Sequence, residues 1–295
     1  MLTAAEALHV ERRRRPRPSL RQQYDEYILQ RIESYKNSIP RHELLRLGEE
    51  VAGELQSGSE GQFVLTEVLL LESVDAVIKR RLKLKPYRRW KEHVRSLRDA
   101  QREPTHWGLE PDSPIVALLR RVEPEDHAIV VGPGGEAAAC LLAAHEMAIT
   151  FMAGEIASVE RIESRFEQEA LAAEFDAFVV DFGTWLPPLP DDAALVVLDA
   201  APLGALDPVT RAGLVAELQS RTGPKGVHVL IPGTRGLAPE ALVSLYDGWG
   251  RETAGRPRRR GGSRGVVLGP PPIPAGSAAA PAAGSRAPAS GLATG

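Results

Sequence analysis

Cysteine is nearly absent from this chain. Cys140 is the single one in 295 residues, which excludes an internal disulfide and fits a reducing compartment. Long apolar runs are missing as well: no stretch approaches the ~20 residues that a membrane span needs. Met1 to Val10 carries no apolar core of signal-peptide length, so a cytoplasmic chain with no membrane partner is expected. Neither sign of charge dominates, and a net charge of −3 gives the whole chain no bulk attraction to nucleic acid. The 7 histidines (His9, His42, His93, His106, His127, His145, His228) show no metal-ligand spacing, so no metal is expected. The Gly-x-Ser-x-Gly elbow of serine hydrolases is missing. So is the Gly-x-x-x-x-Gly-Lys-Ser/Thr loop, which argues against a nucleoside triphosphatase.

What is present is a strand, a glycine turn and a helix start. Ile129, Val130 and Val131 form an apolar, β-branched run that stops at Gly132, Gly134 and Gly135. Glu136-Ala-Ala-Ala-Cys-Leu-Leu-Ala-Ala144 then reads as a helix. Glycine permits positive φ and close approach to the backbone, and open N–H groups at a helix start favour an anionic ligand. A glycine-rich connection with no ligand is the simpler alternative. Further strands follow at Ala148–Ala153, Phe175–Val180, Ala193–Leu198 and Val227–Ile231, separated by helical segments at Ser158–Phe166 and about Pro208–Ser220. Such alternation predicts a parallel α/β sheet, and nearly continuous apolar strands predict burial on both faces.

From about Trp107 to Leu268 this series resembles the class I S-adenosylmethionine-dependent methyltransferases. Val131-Gly-Pro-Gly-Gly135 is similar to their first motif. Phe178-Val-Val-Asp-Phe-Gly-Thr-Trp-Leu-Pro187 resembles the segment that borders the adenine. Asp192-Ala-Ala-Leu-Val-Val-Leu-Asp199 resembles the fourth strand, which faces the reacting methyl. Tyr246–Gly250 and Ser263–Leu268 would supply the closing antiparallel hairpin. The resemblance implies a Rossmann-like methyltransferase sheet that binds S-adenosylmethionine and passes its methyl to an acceptor the sequence does not name. It implies that Gly132, Gly134 and Gly135 cradle the methionine end and ribose, and that Glu155 takes the ribose hydroxyls. Asp181 and Phe182 would hold the adenine, and Asp199 would face the acceptor. The simpler alternative for Asp199 is that it only caps the next turn before Pro202.

Three positions depart from the family pattern. Val130 or Val131 stands where an acid usually precedes the turn. Ala153 stands where an acid usually ends the second strand, and Glu136 replaces the third glycine. A methyltransferase fold without cofactor binding, acting as a binding or scaffold module, is therefore the second reading. A dinucleotide reductase shares the strand–glycine–helix start, with Ala138 in place of the last glycine, but the missing acid at Ala153 weakens it equally.

The rest of the chain divides by composition. Residues 1–19 are a basic, proline-broken tail, expected to be disordered, and residues 269–295 are Pro, Ala, Gly and Ser with too few apolar residues for a core. Residues 20–103 carry apolar stripes at helical spacing: Tyr24, Ile28, Ile32 and Tyr35; Leu44, Leu47, Val51 and Leu55; Val64, Val68, Leu71, Ile78 and Leu82. They predict a small helical bundle or cap ahead of a Rossmann-like domain at 104–268. Residues 79–102 hold the densest basic charge, with Tyr87 and Trp90 interleaved. This is either a solvated helix face or a nucleic-acid surface. His106 and Trp107, just before the first strand's approach helix, are candidates to border methyl donor or substrate. The alternative is a tryptophan that anchors the linker.

Overall fold

The computed structural model describes residues 18–57, 67–232, 239–252 and 265–271. The chain divides into two compact units, Met1–Asp99 and Ala100–Gly295. The basic N-terminal tail up to residue 17 and the C-terminal tail beyond residue 271 lie outside the described residues.

The first unit is helical. Helix α1 (Leu20–Ser38) starts with a reciprocal cap: the Ser19 hydroxyl accepts from the Gln22 N–H, and the Gln22 side chain accepts from the Ser19 N–H. It ends at Ile39, held extended at ψ 148° because Pro40 follows. Helices α2 (Arg41–Ser57), α3 (Glu67–Arg81) and α4 (Tyr87–Gln101) complete the set. Ile28, Ile32, Leu47, Val51, Val74 and Ile78 form the core. The stripe expected on α3 is rotated. Val68 and Leu71 are exposed, Val74 is buried in their place, and Val64 lies outside the described residues. Val68-Leu-Leu-Leu71 is apolar all round, so periodicity alone could not choose the face.

The second unit is a seven-stranded sheet ordered β3-β2-β1-β4-β5-β7-β6. Its strands are β1 (His127–Val131), β2 (Ala148–Ala153), β3 (Phe175–Val179), β4 (Ala193–Asp199), β5 (Thr222–Ile231), β6 (Gly250–Glu252) and β7 (Val266–Gly269). The first five are parallel, and β7 pairs antiparallel with both β5 and β6. This is the expected α/β architecture with its antiparallel close. The first strand of that close is shifted, because Tyr246 lies buried in a turn and the strand begins only at Gly250.

Side chains alternate across the sheet with period two. Val130, Phe151, Leu195, Val197 and Val229 face one core, with α6 (Glu136–Ala144) and α7 (Ile156–Gln168) contributing to it. Ile129, Val131, Met152, Val196, Leu198 and Leu230 face the other, with α8 (Ala200–Ala205) and α9 (Pro208–Ser220). Short α5 (Pro114–Leu118) precedes β1, and α10 (Pro239–Leu242) follows β5. Helix α9 starts where Asp207 accepts from the N–H groups of Val209 and Thr210 at 2.9 and 3.1 Å, with Pro208 at the first helical position. Strand β5 begins earlier than the apolar run indicates, because Thr222 pairs with Ala193 before the register shifts and Leu195 meets Val227.

Candidate functional site

The C-terminal edge of the parallel strands is where an open α/β sheet places its ligand site. Here the edge is built from the glycine turn after β1, the ends of β2 and β3, and Asp199 at the end of β4. Gly132 adopts φ +90°, which an L side chain rarely takes, and its N–H donates to the Met152 carbonyl at 2.8 Å. The chain then turns through Pro133–Gly135 into α6.

All three glycines are explained by the protein's own packing. A Cβ on Gly132 would come within 2.7 Å of the Asp199 Cβ and 2.8 Å of Pro202. On Gly134 it would lie 2.7 Å from an Asp199 carboxylate oxygen, and on Gly135 it would lie 2.4 Å from Cγ1 of Val130. The N–H groups are engaged as well. Gly134 donates to Asp199 Oδ2 at 2.8 Å, and Gly135 donates to the Gly132 carbonyl at 3.1 Å. The other Asp199 oxygen accepts from the Ala201 N–H at 2.9 Å and so caps α8. Asp199 is only 2 % exposed. Its carboxylate bridges the glycine turn to the start of α8.

The remaining acids at this edge are mostly engaged. Glu136, at the start of α6, forms a bidentate pair with Arg161 of α7, at 3.0 Å from Nε and 2.6 Å from Nη2. That pair raises the Arg161 guanidinium above its ordinary value. Asp181 is exposed after β3, and its carboxylate accepts from the Thr184 hydroxyl and, at 3.2 Å, from the Gly183 N–H. Those hydrogen bonds hold it below the usual aspartate range. Phe182 is half-buried and packs toward the core on the α8–α9 side. Glu155 is exposed at the N-cap of α7 and makes no side-chain capping bond. Ala153, which ends β2, is fully buried.

His106 and Trp107 are not brought to this edge. Trp107 is buried, its indole N–H donates to the Gln101 carbonyl at 2.6 Å, and Arg165 lies 5.1 Å over its ring. His106 Nε2 lies 3.2 Å from Glu169, just past the end of α7. Helix α7 starts beside the C-terminal edge and runs back for 13 residues, about 20 Å at 1.5 Å per residue. The pair therefore anchors the linker at the opposite end of the sheet. A tryptophan in a proline-flanked connector carries the same signature whether it packs or binds, so sequence spacing could not separate the two.

The chain is similar in structure to a TehB-like S-adenosylmethionine-dependent methyltransferase of Corynebacterium glutamicum, at 14% identity and TM-score 0.42, covering 62% of this chain and 97% of that one. It is also similar to an rRNA methylase of Streptococcus thermophilus, at 10% identity and TM-score 0.39, covering 51% and 89%. TehB of Haemophilus influenzae matches at 13% identity and TM-score 0.40, covering 53% and 61%. No family model and no curated protein matches the sequence. Among the described residues no helix is long and apolar enough to cross a membrane, and no group of side chains is placed to hold a metal.

S-adenosylmethionine would bring a ribose diol, an adenine amine and an amino-acid carboxylate to this edge. The residues present do not fit it. By the family pattern the diol would face the end of β2, where Ala153 is buried and offers no acceptor. The carboxylate would face a turn whose Gly134 N–H already serves Asp199, beside the Glu136 carboxylate. Sequence reasoning missed Arg161 and the Val130–Gly135 contact. The signal for Arg161 was Glu136 itself, since an acid in place of the third glycine calls for a neighbouring cation.

Proposed function

We propose that this protein is a methyltransferase-fold binding module that does not transfer methyl groups. The observation that carries the reading is Asp199. Its buried carboxylate satisfies the glycine turn from within, at 2.8 Å from Gly134 N and 2.9 Å from Ala201 N. A ligand at the turn must displace a charge-assisted hydrogen bond and then approach a carboxylate. The absence of an acid at Ala153 and the pairing of Glu136 with Arg161 support the same reading.

The second reading is methyl transfer from S-adenosylmethionine to an acceptor still to be named. It is favoured by exposed Glu155, two residues beyond the usual ribose position, and by exposed Asp181 with Phe182 beside it. On that reading the three glycines cradle the donor and Asp199 turns to the acceptor.

Calorimetric titration of the chain with S-adenosylhomocysteine separates the two. The binding-module reading expects no heat of binding up to millimolar ligand. Micromolar binding that weakens in Asp181→Ala would replace it with the enzyme reading.

A further inference from the structure

We infer that the surface formed by the end of α3, its connector and α4 binds the phosphate backbone of nucleic acid without reading the bases. This rests on the reading of the protein as a binding module and names its partner. Lys79 and Arg80 close α3, Lys83 and Lys85 lie in the connector, and Arg89 and Arg95 project from α4. All six are exposed, and none has an ion-pair partner among the described residues. The dipole of α3 accounts for the cations at its C-terminus. It does not account for Arg89, in a first turn of α4 that carries no acid. Folding alone therefore does not explain the run.

The backbone beneath these cations is fixed. The Leu84 N–H donates to the Lys79 carbonyl and the Lys83 N–H to the Arg80 carbonyl, both at 3.1 Å, and close the end of α3. Lys83 takes φ +49°, a left-handed position where glycine is the usual residue. Tyr24 donates its hydroxyl to the Lys85 carbonyl at 3.1 Å, while Leu82 and Leu84 pack on the helical core. The cations are thus presented on a rigid frame, which lowers the ordering cost of binding.

Three features choose the partner. Arginine forks and lysine ammonium groups both match phosphate oxygens. The aromatic residues are already committed: Tyr24 lies 5.3 Å from both the Tyr87 and Trp90 rings, and Trp90 is buried. Tyr87 and Trp90, the two aromatics interleaved among the cations, are thus not free for base stacking, which leaves backbone phosphate as the main contact. No large apolar side chain between Lys79 and Arg95 is exposed. A bilayer-binding helix needs such an apolar face, and a protein–protein interface is depleted in lysine.

The test is fluorescence anisotropy of the full chain with a labelled 20-base-pair duplex and with two single strands of unrelated sequence, across a salt series. The comparison is the variant Lys83→Gln, Lys85→Gln, Arg89→Gln, Arg95→Gln. Binding of the parent chain should fall steeply with salt and differ little between sequences. In the variant the affinity should drop at least about tenfold, and the log–log salt slope on the duplex should shrink by up to roughly 3.6, at about 0.9 per lost phosphate contact. A parent slope near zero overturns the proposal even if the variant misfolds. So does unchanged binding by the folded variant, binding that vanishes only when Arg12, Arg13, Arg14 and Arg15 are replaced, or binding to anionic vesicles but not to nucleic acid. Titrating both proteins with S-adenosylhomocysteine keeps the two failures apart. Heat there removes the binding-module reading, and loss of polyanion binding alone removes only this inference.

Discussion

The C-terminal edge of the sheet and the α3–α4 surface treat their polar groups in opposite ways. At the sheet edge, Gly134 N–H, Ala201 N–H, Asp199, Glu136 and Arg161 are all paired with one another. On the helical unit, six cations stand exposed without partners among the described residues. The first region carries the more recognisable motif, yet its chemistry is closed on itself. The second carries only a charge run, yet its chemistry is open. A motif shows which backbone conformation a chain adopts. Whether that conformation meets a ligand depends on what the neighbouring strand places against it, and here β4 places an aspartate.

The largest way to break this comparison is to remove the closure. Asp199→Ala deletes two hydrogen bonds to a buried carboxylate and leaves two N–H donors without it. At roughly 1.5–3 kcal/mol for each bond to a charged group, the loss should be about 3 kcal/mol by urea denaturation. Asp199→Asn should lose less, because its carbonyl keeps one donor while its amide faces the other. A loss below about 0.5 kcal/mol in the alanine variant would mean that the plug is incidental.

A sharper test asks whom the third glycine serves. Gly135 has φ −86°, which any residue adopts, so conformation does not require it. Its requirement is steric, since the added Cβ would lie 2.4 Å from Val130 Cγ1. Gly135→Ala should cost about 1–3 kcal/mol through overpacking. Val130→Ala in the same chain should recover part of that loss, a coupling that a glycine kept for ligand approach would not show. Additive losses in the double variant would reject the packing account.

Much of the sheet was readable from the chain. The β-branched run before Gly132, the limits Pro208–Ser220 of α9 and the antiparallel close follow from local periodicity, proline at the helix start and strand order. The state of the site was not readable. Gly134 and Asp199 are 65 residues apart, and no local pattern reports that one donates to the other. The choice between the two readings of Trp107 was not readable either, because Arg165, which lies over its ring, is brought there only by the tertiary fold. On α3, four successive apolar residues concealed which face would be buried.

A third expectation concerns acid. His228 is fully buried on β5, with Nε2 2.8 Å from Thr222 Oγ1 and Nδ1 2.9 Å from the Tyr246 hydroxyl. Thr222 gives its own proton to the Leu218 carbonyl at 2.7 Å, so His228 donates through Nε2 and accepts from Tyr246 through Nδ1. Burial holds the imidazole neutral and lowers its pKa from 6.5 to about 3. Below pH 6.5 the unfolded chain takes up a proton that the folded chain refuses, so stability falls as pH drops from about 6.5 toward about 3. His228→Gln should be less stable at neutral pH but show a flatter dependence across that window. An unchanged slope would mean that carboxylates alone set the acid limit.

The smallest effect should come from the open region. Replacing Lys83, Lys85, Arg89 and Arg95 by glutamine removes like charges that repel one another and deletes no ion pair among the described residues. The sign is therefore opposite to that at the sheet edge. The thermal midpoint should stay level or rise slightly at low salt, and the difference should vanish in 1 M salt, where the screening length is about 3 Å. A clear drop in midpoint that persists in high salt would show that the side chains pack through their aliphatic stems. The cations would then be part of the helical unit's own structure, and the contrast between a closed edge and an open face would be lost.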